Sequence, residues 1–147
     1  PLSTVHAWDV SPEALEVARR NAIRNGVTVH FQQVDALQES WPSLNIDVLV
    51  SNPPYITEKE RTDMERNVLD WEPELALFVP DNDPLLFYRH IARIGLDLLS
   101  PSGTLYYEIN RAYGAETVSL LQQLGYHSVE LRKDLSGNDR MVKAVKP

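Results

Sequence analysis

A strand that runs directly into two prolines is the feature that most limits what this chain can become. Ile46-Asp47-Val48-Leu49-Val50-Ser51 is a short apolar run of the kind that forms a buried strand. Asn52-Pro53-Pro54-Tyr55 follows it without a break. Neither proline has an N–H to give to a sheet ladder, so the strand ends there. What remains is a stiff turn at a strand's carboxyl end, the edge where open α/β sheets place their ligands. The turn carries an amide side chain, a free Pro53 carbonyl and an aromatic face. Together these can grip a planar –NH2 group. The Asn52 amide oxygen and the Pro53 carbonyl accept its two hydrogens, and Tyr55 packs on its plane. A plain proline turn is the competing reading, since Asn-Pro is a common turn opener.

Strand and helix patterns alternate through the rest of the chain, which implies an α/β fold. Thr4 to Trp8 reads as a strand ending at Asp9. Ser11 is placed to cap a helix with Pro12 at its first position. Leu15, Ala18, Ala22 and Ile23 form its apolar stripe, and Gly26 closes it. Val27 to Phe31 is a second strand, followed by Asp35, and Ile46 to Ser51 is the third. Residues 57–70 have a helical but strongly charged pattern, broken by Trp71-Glu72-Pro73-Glu74. Asp83 is expected to cap a helix that has Pro84 at its first position. Leu86, Phe87, Ile91, Ile94, Leu98 and Leu99 supply that helix's apolar side. Pro101-Ser102-Gly103 reads as a turn, Thr104 to Ile109 as a strand, and residues 112–124 as a helix ended by Gly125. His127 to Leu131 and Met141 to Val145 make a final hairpin around Ser136-Gly137-Asn138-Asp139. With no repeat, low-complexity tract or linker, residues 1–147 read as one domain.

Two acids stand at the ends of successive strands. Asp9 precedes a helix, the position from which a carboxylate accepts ribose hydroxyls in nucleotide-binding sheets. Asp35 follows the next strand. Either one alone reads as a helix cap or a loop carboxylate. With Asn52 at the third strand end, all three face one edge of one sheet. Composition removes several other functions. A chain of 147 residues that is 43% hydrophobic can bury a real core. Its formal charge of −7 makes it a poor non-specific binder of a phosphate backbone, so no direct nucleic-acid partner is expected. There is no Cys for disulfides or thiolate metal sites, and His6, His30, His90 and His127 lack ligand spacing. No metal is therefore expected. No run approaches about 18 apolar residues and no signal-peptide pattern opens the chain, so the expectation is no membrane partner and a cytoplasmic location.

Asn52-Pro53-Pro54-Tyr55 resembles motif IV of the S-adenosylmethionine-dependent amino-methyltransferases, (Asn/Asp/Ser)-Pro-Pro-(Tyr/Phe/Trp). The order Asp9, Asp35, Ser51-Asn52-Pro53-Pro54-Tyr55, then Glu72-Pro73 with Ala76-Leu77, resembles the HemK/PrmC family. Those enzymes are glutamine methyltransferases of class I peptide chain release factors. Asp83-Pro84-Leu85-Leu86-Phe87-Tyr88 is similar to the family's "DGLxFY" helix start. Ser102-Gly103 with Tyr107-Glu108-Ile109 is similar to its "GGxLxxEIG" strand, and Asp134 to Arg140 to its "DLxGxxR" hairpin. The resemblance covers essentially the whole chain. It implies a class I, Rossmann-like methyltransferase sheet with strand order 3-2-1-4-5-7-6 and a terminal antiparallel hairpin. It implies S-adenosyl-L-methionine as cofactor and a class I release factor as partner. The reaction implied is methyl transfer to the side-chain amide nitrogen of the glutamine in a Gly-Gly-Gln loop. Asn52, Pro53, Pro54 and Tyr55 would hold the glutamine, with Asn52 also bordering the cofactor. Asp9 would bind the ribose, Asp35 the adenine, and Glu72 would order the loop around the substrate.

The chain departs from that family in three ways. The glycine-rich "DxGTGSGxIA" motif would precede Thr4, and the sequence opens on Pro1. The expectation is thus a domain truncated at its amino end, without the first strand and helix and without the family's amino-terminal helical domain. Ala36 and Leu37 follow Asp35 where the family often has an aromatic residue. Without the central strand, the Ile46–Ser51 strand and the first two strands would expose bare edges that invite self-association, and cofactor binding would be weak. Two alternatives remain open. A DNA or RNA amino-methyltransferase meets the same nitrogen chemistry, though such enzymes usually need a basic groove. A non-catalytic fragment would keep the fold without the activity.

Overall fold

The computed structural model describes residues 3–38, 40–64 and 66–147. The chain divides into two compact units, residues 1–41 and 42–147.

The first unit is a strand, a helix and a strand. β1 (His6–Asp9) leads into α1 (Pro12–Arg24), which returns the chain to β2 (His30–Gln33), parallel to β1 with His6 opposite His30 and Asp9 opposite Gln33. The helix begins where the sequence predicts. The Ser11 hydroxyl accepts the Ala14 amide at 3.0 Å, Pro12 occupies the first turn, and Glu13 and Arg24 lie at the ends that favour their charges. It ends through Gly26, whose φ of 63° lets the Val27 amide turn back to the Ala22 carbonyl. That bond corrects the expected start of the second strand. Val27 is spent on closing the helix, so the ladder starts at His30 rather than at Val27.

The second unit is built on a four-stranded sheet. Its strands are β3 (Ile46–Ser51), β6 (Leu99–Glu108), β7 (His127–Lys133) and β8 (Asp139–Val145). Between β3 and β6 come β4 (Ile56–Thr57), a 3₁₀ turn (Glu58–Asp63), α2 (Arg66–Trp71), β5 (Phe78–Val79) and α3 (Leu86–Leu98). α4 (Gly114–Gln123) lies between β6 and β7. The sheet order is β3-β6-β8-β7, with β3 and β6 parallel and β8 antiparallel to both its neighbours. This is the 4-5-7-6 half of the order expected for a class I methyltransferase. α3 and α4 supply Tyr88, Ile91, Ala92, Ile94, Leu98 and Leu121 to a core that also buries Leu105, Tyr107, Val142 and Ala144 from the sheet. Each large side chain buried there stabilises the fold by about 1.5–3 kcal/mol relative to exposure. β3 is an edge strand of this sheet with a partner on one side alone, and none of its residues is buried, Val48 being 54% and Val50 71% exposed, which corrects the reading of Ile46–Ser51 as a buried strand. Among the described residues no helix is long and apolar enough to cross a membrane.

Three further elements differ from the sequence reading. The charged segment 57–70 is not one helix. Met64 takes extended backbone (ψ 148°), which separates the 3₁₀ turn from α2, and Glu65 lies outside the described residues. α3 starts at Leu86 rather than Pro84, and Asp83 does not cap it, because its carboxylate pairs with the Arg89 guanidinium. Pro101-Ser102-Gly103 sits inside β6 as an irregularity rather than between elements. Ile46 pairs with Leu99 and Val48 with Thr104, so extra β6 residues loop out with Ser102 at φ 66°. A side chain at Gly103 would stand 2.8 Å from the Ser100 carbonyl, so only glycine fits.

Candidate active site

In the second unit, two parallel strands bring their carboxyl ends together, since Ser51 of β3 pairs with Tyr107 of β6. β3 delivers Asn52-Pro53-Pro54-Tyr55, and β6 delivers Glu108, Ile109 and Asn110. Pro53 is buried and Asn52 exposed. Among the described residues, neither the Asn52 side chain nor the Pro53 carbonyl takes part in a hydrogen bond. Among the described residues, neither acceptor is spent on the fold. The Tyr55 hydroxyl donates to Glu108 Oε1 at 2.9 Å. Partial burial pushes the Tyr55 phenol above its ordinary range, and the hydrogen bond to the Glu108 carboxylate adds to this, against the opposing charge of Arg140. Tyr55 is therefore a neutral donor with its ring fixed.

Asn110 closes the other side of the turn. Its Nδ2 donates to the Tyr55 carbonyl at 3.0 Å and to the Glu60 carboxylate. Glu60 in turn accepts the Thr57 amide at 2.8 Å and the Thr57 hydroxyl at 2.6 Å, forming a capping box. Burial raises the Glu60 carboxyl, but the bonds from Thr57 and Asn110 outweigh it and hold the group below the usual carboxylate range. Tyr55, Ile56, Glu60, Met64, Asn110, Arg111 and Arg140 line a cavity of 280 Å³ beside the turn. A larger hollow of 460 Å³, between Leu85, Arg89, Glu116 and Gln123, holds none of the expected site residues.

The first unit carries the two acids. Asp9 ends β1 and Asp35 follows β2, so both stand at the carboxyl edge of one parallel pair. Each turns its own backbone. Asp9 Oδ1 accepts the Ser11 amide and Asp35 Oδ1 the Leu37 amide, both at 2.8 Å. Each keeps a second carboxylate oxygen, an acceptor suited to a hydroxyl or amino donor. That acceptor set suits hydroxyl and amino donors such as those of a nucleoside.

Glu72 is exposed beyond α2. The ion pair that ties its neighbourhood comes instead from Glu74, 2.7 Å from Arg61, whose guanidinium lies 4.1 Å from the Phe78 ring centroid. Sequence reasoning did not single out Glu60, Glu108, Asn110 or Arg140 as site residues. Glu60 left a local signal in the Thr57-x-x-Glu60 spacing of a capping box, while Glu108 and Arg140 lay within the family-like stretches without a role assigned to them.

Comparison with known proteins follows the same line. The family described as methyltransferase small domain matches residues 1–70. A Pyrococcus furiosus methyltransferase structure superposes with a TM-score of 0.68 at 20% identity, over 97% of this chain and 62% of that one. A Thermotoga maritima S-adenosylmethionine-dependent O-methyltransferase gives 0.66 at 15%, over 98% and 50%. The fold is that of the class I methyltransferases. Sequence narrows this further. The chain is 50% identical to the release factor glutamine methyltransferase of Bacteroides thetaiotaomicron, over 98% of this chain and 52% of that protein. It is 46% identical to that of Flavobacterium psychrophilum, over 97% and 50%. Over nearly its whole length the chain is similar to release factor glutamine methyltransferases, and it spans about half the length of these curated relatives.

Proposed function

We propose that this chain forms the acceptor and nucleoside sites of an S-adenosylmethionine-dependent protein-glutamine methyltransferase. Its substrate is the glutamine side chain in the Gly-Gly-Gln loop of a class I peptide chain release factor, and its place of action is the cytoplasm. The observation that carries the reading is the Asn52–Tyr55 turn, with its two unspent acceptors beside a fixed aromatic ring at the carboxyl end of β3.

An amide nitrogen is a poor nucleophile because its lone pair is conjugated with the carbonyl. Asn52 Oδ1 and the Pro53 carbonyl accept both amide hydrogens, which favours a pyramidal nitrogen with its lone pair free. They also fix the direction in which that lone pair points. This is positioning with electrostatic stabilisation, and it needs no covalent intermediate. Tyr55, pinned by Glu108, packs on the amide plane. Asp9 would hold the ribose hydroxyls and Asp35 the adenine amino group. S-adenosylmethionine, when bound, supplies an electrophilic methyl group.

The test is transfer of labelled methyl to a class I release factor, beside the same factor with its loop glutamine changed to alanine, and beside DNA and tRNA. Label on the glutamine form alone is the expected result. Label on nucleic acid instead would move the same turn to the nucleic-acid amino-methyltransferases. No label on any of them would remove the assignment.

A further inference from the structure

Asn110 is only 5% exposed and uses every polar group it has. Its backbone N–H donates to the Tyr88 hydroxyl at 3.0 Å, and its Oδ1 accepts the Ala112 amide at 2.9 Å. Its Nδ2 is shared between the Tyr55 carbonyl at 3.0 Å and the two Glu60 oxygens at 3.2 and 3.1 Å. The Glu60 carboxylate is equally engaged, through Thr57, which is fully buried. These bonds join three stretches that are far apart in sequence: the end of β6, the first turns of α3, and the segment that follows Tyr55.

The position of that junction decides what it does. The turn is fixed upstream by the β3 ladder, where Ser51 pairs with Tyr107. Pro53 and Pro54 have locked φ, so little freedom remains between the two ends. Downstream, the Tyr55 carbonyl is anchored by Asn110. With both ends held, the directions of the Asn52 side chain and the Pro53 carbonyl are set. With the downstream end released, Tyr55 would keep only its hydroxyl bond to Glu108, and the Ile56–Thr57 segment its two-residue pairing with Phe78–Val79.

We propose that Asn110 and Glu60 form a clasp that positions the Asn52–Tyr55 turn, which makes them positioning residues for the methyl acceptor. The proposal rests on the function proposed above for its kinetic consequence, but not for the clasp itself. A polar cluster in which every member is satisfied is rigid, and truncating one member leaves the others unpaired. A misplacement on the order of 1 Å in an aligned site costs up to about 100-fold in rate.

The experiment has two arms, both on the folded full protein with Asn110→Ala, Glu60→Gln and the double variant. In the first arm, amide hydrogen exchange is read by residue. Asn110→Ala should speed exchange at Ile56, Thr57 and Met64 about ten-fold or more, while β6 and β8 stay protected. Unchanged exchange in that segment would overturn the clasp, whether or not the protein transfers methyl groups. In the second arm, kcat and KM are measured well below the unfolding temperature. Asn110→Ala should lower kcat about 10- to 100-fold with KM and S-adenosylhomocysteine affinity within about two-fold. The double variant should be no slower than the worse single one. A kcat within two-fold of wild type, or a loss carried by KM alone, would reduce the clasp to scaffolding and overturn its positioning role. Absence of transfer by the wild-type protein would instead remove the proposed function, and the exchange arm alone would then judge the clasp.

Discussion

The two carboxyl edges are built differently. In the first unit, Asp9 and Asp35 each bond an amide two positions further along the chain. The acids are exposed or half-exposed and held by their own turns. In the second unit, Tyr55 reaches Glu108 across 53 positions, and Asn110 reaches back 55 to the Tyr55 carbonyl and 50 to Glu60. One edge is assembled locally and the other by the tertiary fold. A local edge keeps its shape when a side chain is cut away, whereas a tertiary edge transmits the cut to its neighbours. Substitutions should therefore separate into those that cost only function and those that cost order as well.

Asn52→Ala should give the largest functional loss and no structural one. Its side chain makes no hydrogen bond among the described residues, so nothing in the fold depends on it. Removing one of two acceptors at the reacting nitrogen should lower methyl transfer about 100- to 1,000-fold, as loss of an aligned polar partner does elsewhere. Circular dichroism and thermal midpoint should not move. A large fall in stability would mean that Asn52 is part of the scaffold and that the turn is only a turn.

Asp9→Ala tests the local edge. Among the described residues its exposed carboxylate bonds only the Ser11 amide, so stability should fall by no more than about 1 kcal/mol. A hydrogen bond to a charged group contributes about 1.5–3 kcal/mol, so calorimetric affinity for S-adenosylhomocysteine should fall at least ten-fold. Equal affinities would leave Asp9 as the turn-former it also is.

Tyr55→Phe sits on the tertiary edge and should cost both properties moderately. The half-buried Glu108 carboxylate loses its donor, a destabilisation of about 1–2 kcal/mol seen as a lower midpoint in urea. The ring remains, so methyl transfer should fall less than in Asn52→Ala.

The same contrast explains what could be read from the sequence. Ser11-Pro12 and Gly26 stated their structures, and the Ile46–Ser51 run its strand though not its exposure, because caps, glycine turns and apolar runs act within a few residues while burial depends on what packs alongside. Asp9 and Asp35 were legible for the same reason, as strand ends. The start of α3 was misplaced because Asp83 has a better partner in Arg89 than the helix amides. Ser102 and Gly103 read as a turn because the bulge that holds them exists only when β3 lies alongside β6. Glu108 and Asn110 look like ordinary residues at a strand end. Their roles appear only once the fold has brought Tyr55 and Glu60 beside them.

The smallest effect concerns acid, and its sign follows from Glu60. Its carboxyl lies below the usual range in the folded protein because the Thr57 and Asn110 donors outweigh the cost of its partial burial. In the unfolded chain it titrates near the ordinary value of about 4.3. Between those two points the unfolded state binds more protons, so stability rises with pH across the window. The contribution is fully present above about pH 4.3 and is lost as pH falls through the lower, folded value. Thermal midpoints measured between roughly pH 2 and 5 should therefore fall more steeply for the wild type than for Glu60→Gln, whose amide cannot titrate. Exchange at Ile56–Met64 should quicken before that of the sheet. If the two proteins gave parallel curves, the capping box would hold as well with a protonated Glu60, and the tertiary edge would owe its order to Asn110 and Tyr55 alone.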